Sequence, residues 1–377
     1  MFKLIFYAAR LAKKHVTIFA VLLVGLPVSI IYAPSRVLRK EEQNKQCEII
    51  TVQIDDCTYR LAYVHRGRLF TNRATNISVI SQNYLVPYVS WQYIDGEVLP
   101  DAANFILKRK LLMNSFPVKF NCEVVSLLTG GGGNYNYYHW LFDCLPRLFI
   151  VKASRKIGAH TRYLIPEDTL PFQRDTLDAL GIDSASRISS KKCSHLRASE
   201  LLSTSHPNPK PSLIPAWIVE FLRESFLGCN IVDLANETDF IYISRGDSVN
   251  SRRLINESYL CKCLESVGFG VYWLSDLTFQ QQVTLFSQAR MIVGVHGAGL
   301  ANLAFASKGA VVYELFSDQY QPDMYKRIAS LTGLDYHSIV CETHGGFKPV
   351  QQLDFLISEM DALSIRRHAE KLTLYNS

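Results

Sequence analysis

His139 and Asp143 stand four residues apart in the run Asn134-Tyr-Asn-Tyr-Tyr-His-Trp-Leu-Phe-Asp-Cys-Leu-Pro-Arg-Leu148. On a helix that spacing sets both side chains on one face. An imidazole and a carboxylate among Tyr137, Tyr138, Trp140, Leu141 and Phe142 make a general base, or a base held in orientation. A core helix with a histidine bonded to its own aspartate has the same composition. Further on, Arg245, Arg252 and Arg253 cluster after a short apolar run, Phe240 to Ser244. Guanidinium groups bind phosphate in a bidentate fork, so the cluster suits a phosphate clamp, with a solvated basic loop as the bland alternative. The third stretch is Met291-Ile-Val-Gly-Val-His-Gly-Ala-Gly-Leu-Ala-Asn302. There His296 leads into Gly297-Ala298-Gly299, and a glycine turn that opens a helix offers unsatisfied N–H groups to an anion.

These residues need elements to hold them. Met291 to Val295 has the shortness and β-branched content of a buried parallel strand. Leu300 to Ala306 is expected to be a helix, and Ala310 to Leu315 a second strand carrying Glu314 near its end. Strand, glycine turn, helix, strand is a βαβ unit. Upstream, Phe240 to Ser244 and Gly270 to Leu274 are expected as strands, and Ile255 to Val267 and Thr278 to Ala289 as helices. The arginines and His296 then fall at the C-terminal ends of strands of one sheet, the edge where open α/β sheets bind ligands.

Cys47 to Val89 alternates short apolar runs with turn residues and is predicted to be strands. Glu123 to Leu128 is another, running into Thr129 and Gly130 to Gly133, which lack the Gly-Lys-Ser/Thr of a P-loop. Pro146 is expected to kink or end the helix begun near Tyr137. Arg162 to Ile165, Phe172 to Leu180 and Glu200 to Ser203 continue as strand, helix and strand, giving an α/β domain with a mainly parallel sheet. His206-Pro-Asn-Pro-Lys-Pro211 is stiff and suits a connection between domains. Ile214 to Phe226 then starts the second domain as a helix.

The chain has 377 residues, 48% hydrophobic and 20% charged, enough for two ordinary cores. A net charge of +6 without a dense basic tract argues against nucleic acid as a partner. Nine cysteines without a Cys-x-x-Cys pair argue against a zinc site and leave at least one free thiol. Val16 to Ala33 carries no charge and has the length of a minimal spanning helix. Lys3, Arg10, Lys13 and Lys14 precede it, which favours a cytoplasmic N-terminus and a type II, single-pass protein anchored in the lipid bilayer. Cleavage after Ala33 would put Pro34 at the scissile bond, so an uncleaved anchor is expected. Asn76-Ile-Ser, Asn236-Glu-Thr and Asn256-Glu-Ser match the glycosylation pattern.

Three blocks together resemble family 61 glycosyltransferases, the group with plant β-1,2-xylosyltransferases and secretory-pathway O-linked N-acetylglucosaminyltransferases. The blocks are Tyr137 to Leu148, Tyr242-Ile-Ser-Arg245 with Arg253 and Asn256-Glu257, and Val293 to Asn302 with Glu314 beyond. They occur in family order between Gly130 and Phe316. The resemblance implies a GT-B fold, two Rossmann-like domains facing a cleft, and an inverting enzyme with no required metal or cofactor. It implies a UDP-sugar donor, xylose or N-acetylglucosamine foremost, and a glycan or glycoprotein hydroxyl as acceptor. Donor contacts are then expected from Arg245, Arg252, Arg253, Asn256, His296, Gly297, Ala298, Gly299, Asn302 and Glu314, the last toward ribose hydroxyls. Asp143, or His139 oriented by it, takes the acceptor proton, and Tyr138 and Trp140 stack on a sugar.

On this reading 1–15 is a cytoplasmic tail, 16–33 the anchor and 34–46 a stem. The acceptor domain runs over 47–211, the nucleotide-sugar domain over 212–350 and a helical segment over 351–377. The body is expected in the lumen of the Golgi or endoplasmic reticulum. A capsule or lipopolysaccharide enzyme at a bacterial inner membrane and a glycan-binding pseudoenzyme are the alternatives.

Overall fold

The computed structural model describes residues 31–40, 47–73, 75–94, 97–98, 115–129, 135–155, 157–208, 210–228, 239–246, 252–344 and 349–374. It is mixed α/β with two sheets and divides into two compact units. One comprises Met1–Tyr135, Phe142–Asp168 and Ile182–Pro209; the other comprises Asn136–Leu141, Thr169–Gly181 and Lys210–Ser377. A single boundary at 211 therefore differs from the observed division, because two earlier stretches belong to the second unit.

The first unit holds β1 (Arg36–Val37), β2 (Cys47–Ile54), β3 (Cys57–His65), β4 (Arg68–Thr71), β5 (Asn76–Ser81) and β6 (Tyr84–Leu85). It continues with β7 (Trp91–Ile94), β8 (Glu97–Val98), β9 (Val118–Ser126), β10 (Arg162–Ile165), β11 (Arg187–Ser189) and β12 (His195–Thr204). Its main path runs β1-β6-β5-β4-β12-β9-β10-β11. Only the stretch from β12 through β9 and β10 to β11, and the short β1–β6 pair, is parallel; β2 to β8 pair antiparallel. This corrects the mainly parallel, Rossmann-like sheet expected there. The physical reason is turn length. Asp55-Asp56 closes β2 onto β3 as a two-residue hairpin turn with Asp55 at φ +47°, and Gln82 at φ +51° does the same between β5 and β6. Such turns reverse the chain and leave no room for a crossover helix.

In the region expected as a stem, β1 pairs with β6 and Leu38 is buried in the first unit's core. The spanning segment expected over 16–33 lies, apart from Ile31 to Ala33, outside the described residues, as do Gly130 to Gly133 and Asn236. Among the described residues no helix is long and apolar enough to cross a membrane.

The second unit is the parallel sheet that the sequence foretold. Its strands are β13 (Phe240–Ile243), β14 (Phe269–Tyr272), β15 (Met291–Val295), β16 (Val311–Ser317), β17 (Asp335–His344) and β18 (Asp354–Leu356). The order is β14-β13-β15-β16-β17-β18, parallel except for β18. Every residue of β13, β15 and β16 is buried, which explains their unbroken apolar runs. Helices Glu257–Glu265 and Phe279–Gln288 form the crossovers. The second starts on a capping box in which Thr278 accepts from the Gln281 N–H. The chain leaves β13 toward β14 and leaves β15 toward β16, on the other side. The crevice between β13 and β15 is thus a topological switch point, where doubly wound sheets hold ligands.

Candidate active site

At that switch point a cavity of about 270 Å³ opens in the second unit. Ile243, Val295, Leu274 and Leu300 give it an apolar floor, Tyr137 and Phe172 an aromatic wall, and Ser244, Arg245 and the 297–299 turn its polar rim. The turn and the arginine are fitted to each other. A Cβ on Gly297 would lie 1.6 Å from Arg245 Nη1, so only glycine lets the guanidinium rest on this backbone. Gly297 itself has extended backbone, φ 176°, and the requirement is close approach rather than conformation. Gly299 and Gly294 are similarly crowded by Leu274 and Leu300 side chains. The turn leads into a 3₁₀ helix, Ala298–Phe305, where a helix was expected from Leu300 to Ala306. Asn302 Nδ2 takes the Gly299 carbonyl at 3.1 Å, an acceptor that an α-helix would give to residue 303.

Asn302 does not line the cavity. It is fully buried, accepts from the Tyr137 hydroxyl at 2.7 Å, and donates to Gln282 Oε1 at 3.0 Å. Gln282 in turn donates to the Leu274 and Leu277 carbonyls. One chain of amides thus ties the aromatic wall, the turn and the loop after β14 together. Tyr137 and Phe172 were missed as pocket residues, since nothing in their spacing separates a wall from a core.

His296 and Glu314 lie behind the turn. His296 Nδ1 is 2.5 Å from Glu314 Oε1, and the Tyr336 hydroxyl donates to Glu314 Oε2 at 2.6 Å. With Glu314 wholly buried and both oxygens engaged, its expected contact with ribose is replaced by a bond to His296. Burial pushes the Glu314 carboxyl up to about 8 and holds the imidazole well below its ordinary value, with Arg252 and Arg245 adding to the second effect. The His296 ring stacks on Phe316 at 5.1 Å and meets Tyr325 at 5.2 Å.

Of the other expected donor contacts, Arg252 reaches the turn from outside: its Nη1 donates to the His296 carbonyl at 3.1 Å. Its backbone sits at φ +91°, held by Asp354 Oδ1, which accepts from the N–H of both Arg252 and Arg253. Arg253 is exposed, and its carbonyl accepts from Phe355. Asn256 uses both ends of its amide on the backbone of Ile357, which makes it a clamp on the segment after β18. The structure thus brings Arg245, Gly297, Ala298 and Gly299 to the cavity, sets Arg252, His296, Asn302 and Glu314 behind it, and gives Arg253 and Asn256 other work.

The aromatic–histidine stretch is not one α-helix. A turn of α-helix, Tyr137–His139, passes into a π-helix, Trp140–Cys144, and Pro146 opens a new helix to Ser154 at its first position. Trp140 is fully buried, its Nε1 donating to Thr176 Oγ1 at 2.9 Å, and Tyr138 is packed edge-on to Tyr325. Neither offers a face to a sugar, which corrects the stacking role expected of both. His139 is half-buried beside Tyr138. In the first unit, Asp143 is buried with His206 Nε2 4.0 Å from its Oδ2. The Asn208 N–H donates to His206 Nδ1 at 3.2 Å, so in the neutral ring Nε2 carries the proton and faces Asp143 and Thr129. His206 lies in the proline-rich stretch expected as a mere connector, and no spacing signal linked it to Asp143.

Among the described residues no group of three His, Cys, Asp or Glu side chains is arranged to hold a metal ion, and the eight described cysteines are free thiols.

Residues 137–313 match the family model described as Glycosyltransferase 61. Among curated relatives, a β-1,2-xylosyltransferase of Arabidopsis thaliana is 28% identical over 29% of this chain and 23% of its own length. A protein O-linked-mannose β-1,4-N-acetylglucosaminyltransferase 2 of Mus musculus is 45% identical over 16% of this chain and 11% of its own, as is that of Homo sapiens. The matches thus span under a quarter of these relatives. The family model and these relatives bear the names of glycosyltransferases.

Proposed function

We propose, for a chain whose residues 137–313 match the glycosyltransferase 61 family model, that it moves a sugar from a UDP-sugar to a hydroxyl of a glycan or glycoprotein, with inversion. Xylose and N-acetylglucosamine are the sugars named for its relatives and the first to test. The observation that carries the reading is the fit of the Arg245 guanidinium onto Gly297 at the switch point between β13 and β15. A diphosphate there meets a guanidinium and the N–H groups at the start of the 3₁₀ helix, and charge that develops on the leaving group is stabilised by donors already in place. Tyr137 and Phe172 supply aromatic surface for the base.

Asp143 is the proton acceptor in this reading. His206, with its proton on Nε2, turns a donor rather than an acceptor toward this carboxylate, so it does not compete for the acceptor's proton. The two-sheet α/β make-up is compatible with a glycosyltransferase fold, and the reading takes the enzyme to work without a required metal. The uncharged run over 16–33 serves as a type II anchor, with the body in the Golgi or endoplasmic reticulum lumen. A mature N-terminus starting at Pro34 would remove the anchor from the account.

The test is nucleoside diphosphate release across UDP-xylose, UDP-N-acetylglucosamine and UDP-arabinose by wild type and Asp143→Asn. The expected result is turnover with one donor and a loss on the order of a hundredfold or more in the variant. Near-normal turnover by Asp143→Asn would remove Asp143 from the chemistry.

A further inference from the structure

Behind the cavity lies a set of buried polar groups bonded to one another. The turn is fastened at His296 in three ways: its N–H donates to the Leu315 carbonyl at 2.9 Å, its carbonyl accepts from Arg252, and its ring meets Glu314. Glu314 is in turn held by Tyr336 on the next strand, β17. We propose that Glu314 and Tyr336 are positioning residues for the donor diphosphate, acting through His296 on the Gly297–Gly299 turn, and that one proton between Glu314 and His296 couples donor binding to pH. This rests on the reading of the cavity as the diphosphate's site.

The groups facing the pair come from every element around it. Arg252 and Arg245 bear on His296, the rings of Phe316, Tyr320 and Tyr325 enclose it, Tyr336 bonds Glu314, and Asp323 acts on Tyr336. With its carboxyl protonated, Glu314 donates to Nδ1 and the pair is neutral. Loss of that proton to solvent reverses the bond: the imidazole then donates from Nδ1 to a carboxylate, and one buried negative charge remains. The geometry of the turn survives, but its charge does not. That charge sits one residue from the Gly297 backbone, draws on Arg252 and Arg245, and repels an incoming diphosphate. With Glu314 pushed up to about 8 by burial, the change falls within a measurable range.

The experiment is calorimetric titration of UDP into the full chain at pH 6.5, 7.5, 8.5 and 9.5 for wild type, Glu314→Gln and Tyr336→Phe. Glutamine keeps both hydrogen bonds, donating to Nδ1 and accepting from Tyr336, and has no proton to lose. Wild-type affinity should fall above about pH 8 by up to about tenfold per unit, the limit for one linked proton. Glu314→Gln should lose that fall and keep only the slope due to the uracil itself. Tyr336→Phe removes a donor that favours the carboxylate, so its fall should move to higher pH. The same slope in wild type and Glu314→Gln, or an unmoved profile in Tyr336→Phe, overturns the proposal. UDP that fails to bind wild type at every pH overturns the donor reading and this one together.

Discussion

At the scale of single residues, the site is defined by close approach. Arg245 and Gly297 are one fitted part, and a methyl group on the glycine forces the guanidinium out of place. Gly297→Ala is therefore expected to weaken UDP binding about ten- to a hundredfold, the equivalent of one charge-assisted hydrogen bond of about 1.5–3 kcal/mol. Calorimetry on the variant checks it, with circular dichroism to show that the sheet is intact. Asn302 calls for a different expectation. Asn302→Ala leaves the buried Tyr137 hydroxyl and the Gln282 Oε1 without the partner they share, at a cost of about 1–3 kcal/mol in stability. Denaturant titration should show a lower midpoint with an unchanged slope. The sequence marked Arg245 and Gly297 by residue type, but it equally marked Asn256, which the fold spends on Ile357. Residue type tells what a group can bind; only packing tells what it already holds.

At the scale of elements, the second unit was legible and the first less so. The strands at Phe240, Met291 and Val311 are buried on both faces and announce themselves as short apolar runs, and their crossover helices carry caps and closing glycines such as Gly268 at φ +92°. The first unit's hairpins turn on Asp55 and Gln82, neither followed by glycine, so strand direction was not visible. The stretch around Trp140 shows the same limit. Its aromatic run suggested a sugar platform, yet the π-helix turns Trp140 into the interior against Thr176. Trp140→Ala is expected to cost about 3–5 kcal/mol in stability, as large-to-small changes in cores do. A stacking role would instead appear as a raised acceptor KM in Trp140→Phe with stability little changed, and the structure predicts an unmoved KM with lowered stability.

At the scale of the whole molecule, the buried Glu314 carries a cost that depends on pH. Its carboxyl is raised from 4.5 to about 8, so the folded chain holds this proton more tightly than the unfolded one. Its contribution therefore falls as pH rises from about 4.5 to about 8, since the unfolded chain gains from ionising first. Denaturation of wild type and Glu314→Gln at pH 5 and pH 8 should show the variant gaining relative stability at the higher pH; a constant difference would contradict the shift. A group kept at such a cost, directly behind the turn, fits a chain built around the switch-point cavity. The central claim is that this cavity holds the UDP of a sugar donor, and its most direct test is UDP titration of wild type and Arg245→Ala at pH 7. Saturable binding by wild type should weaken at least tenfold in the variant, and equal affinity in both would contradict the claim.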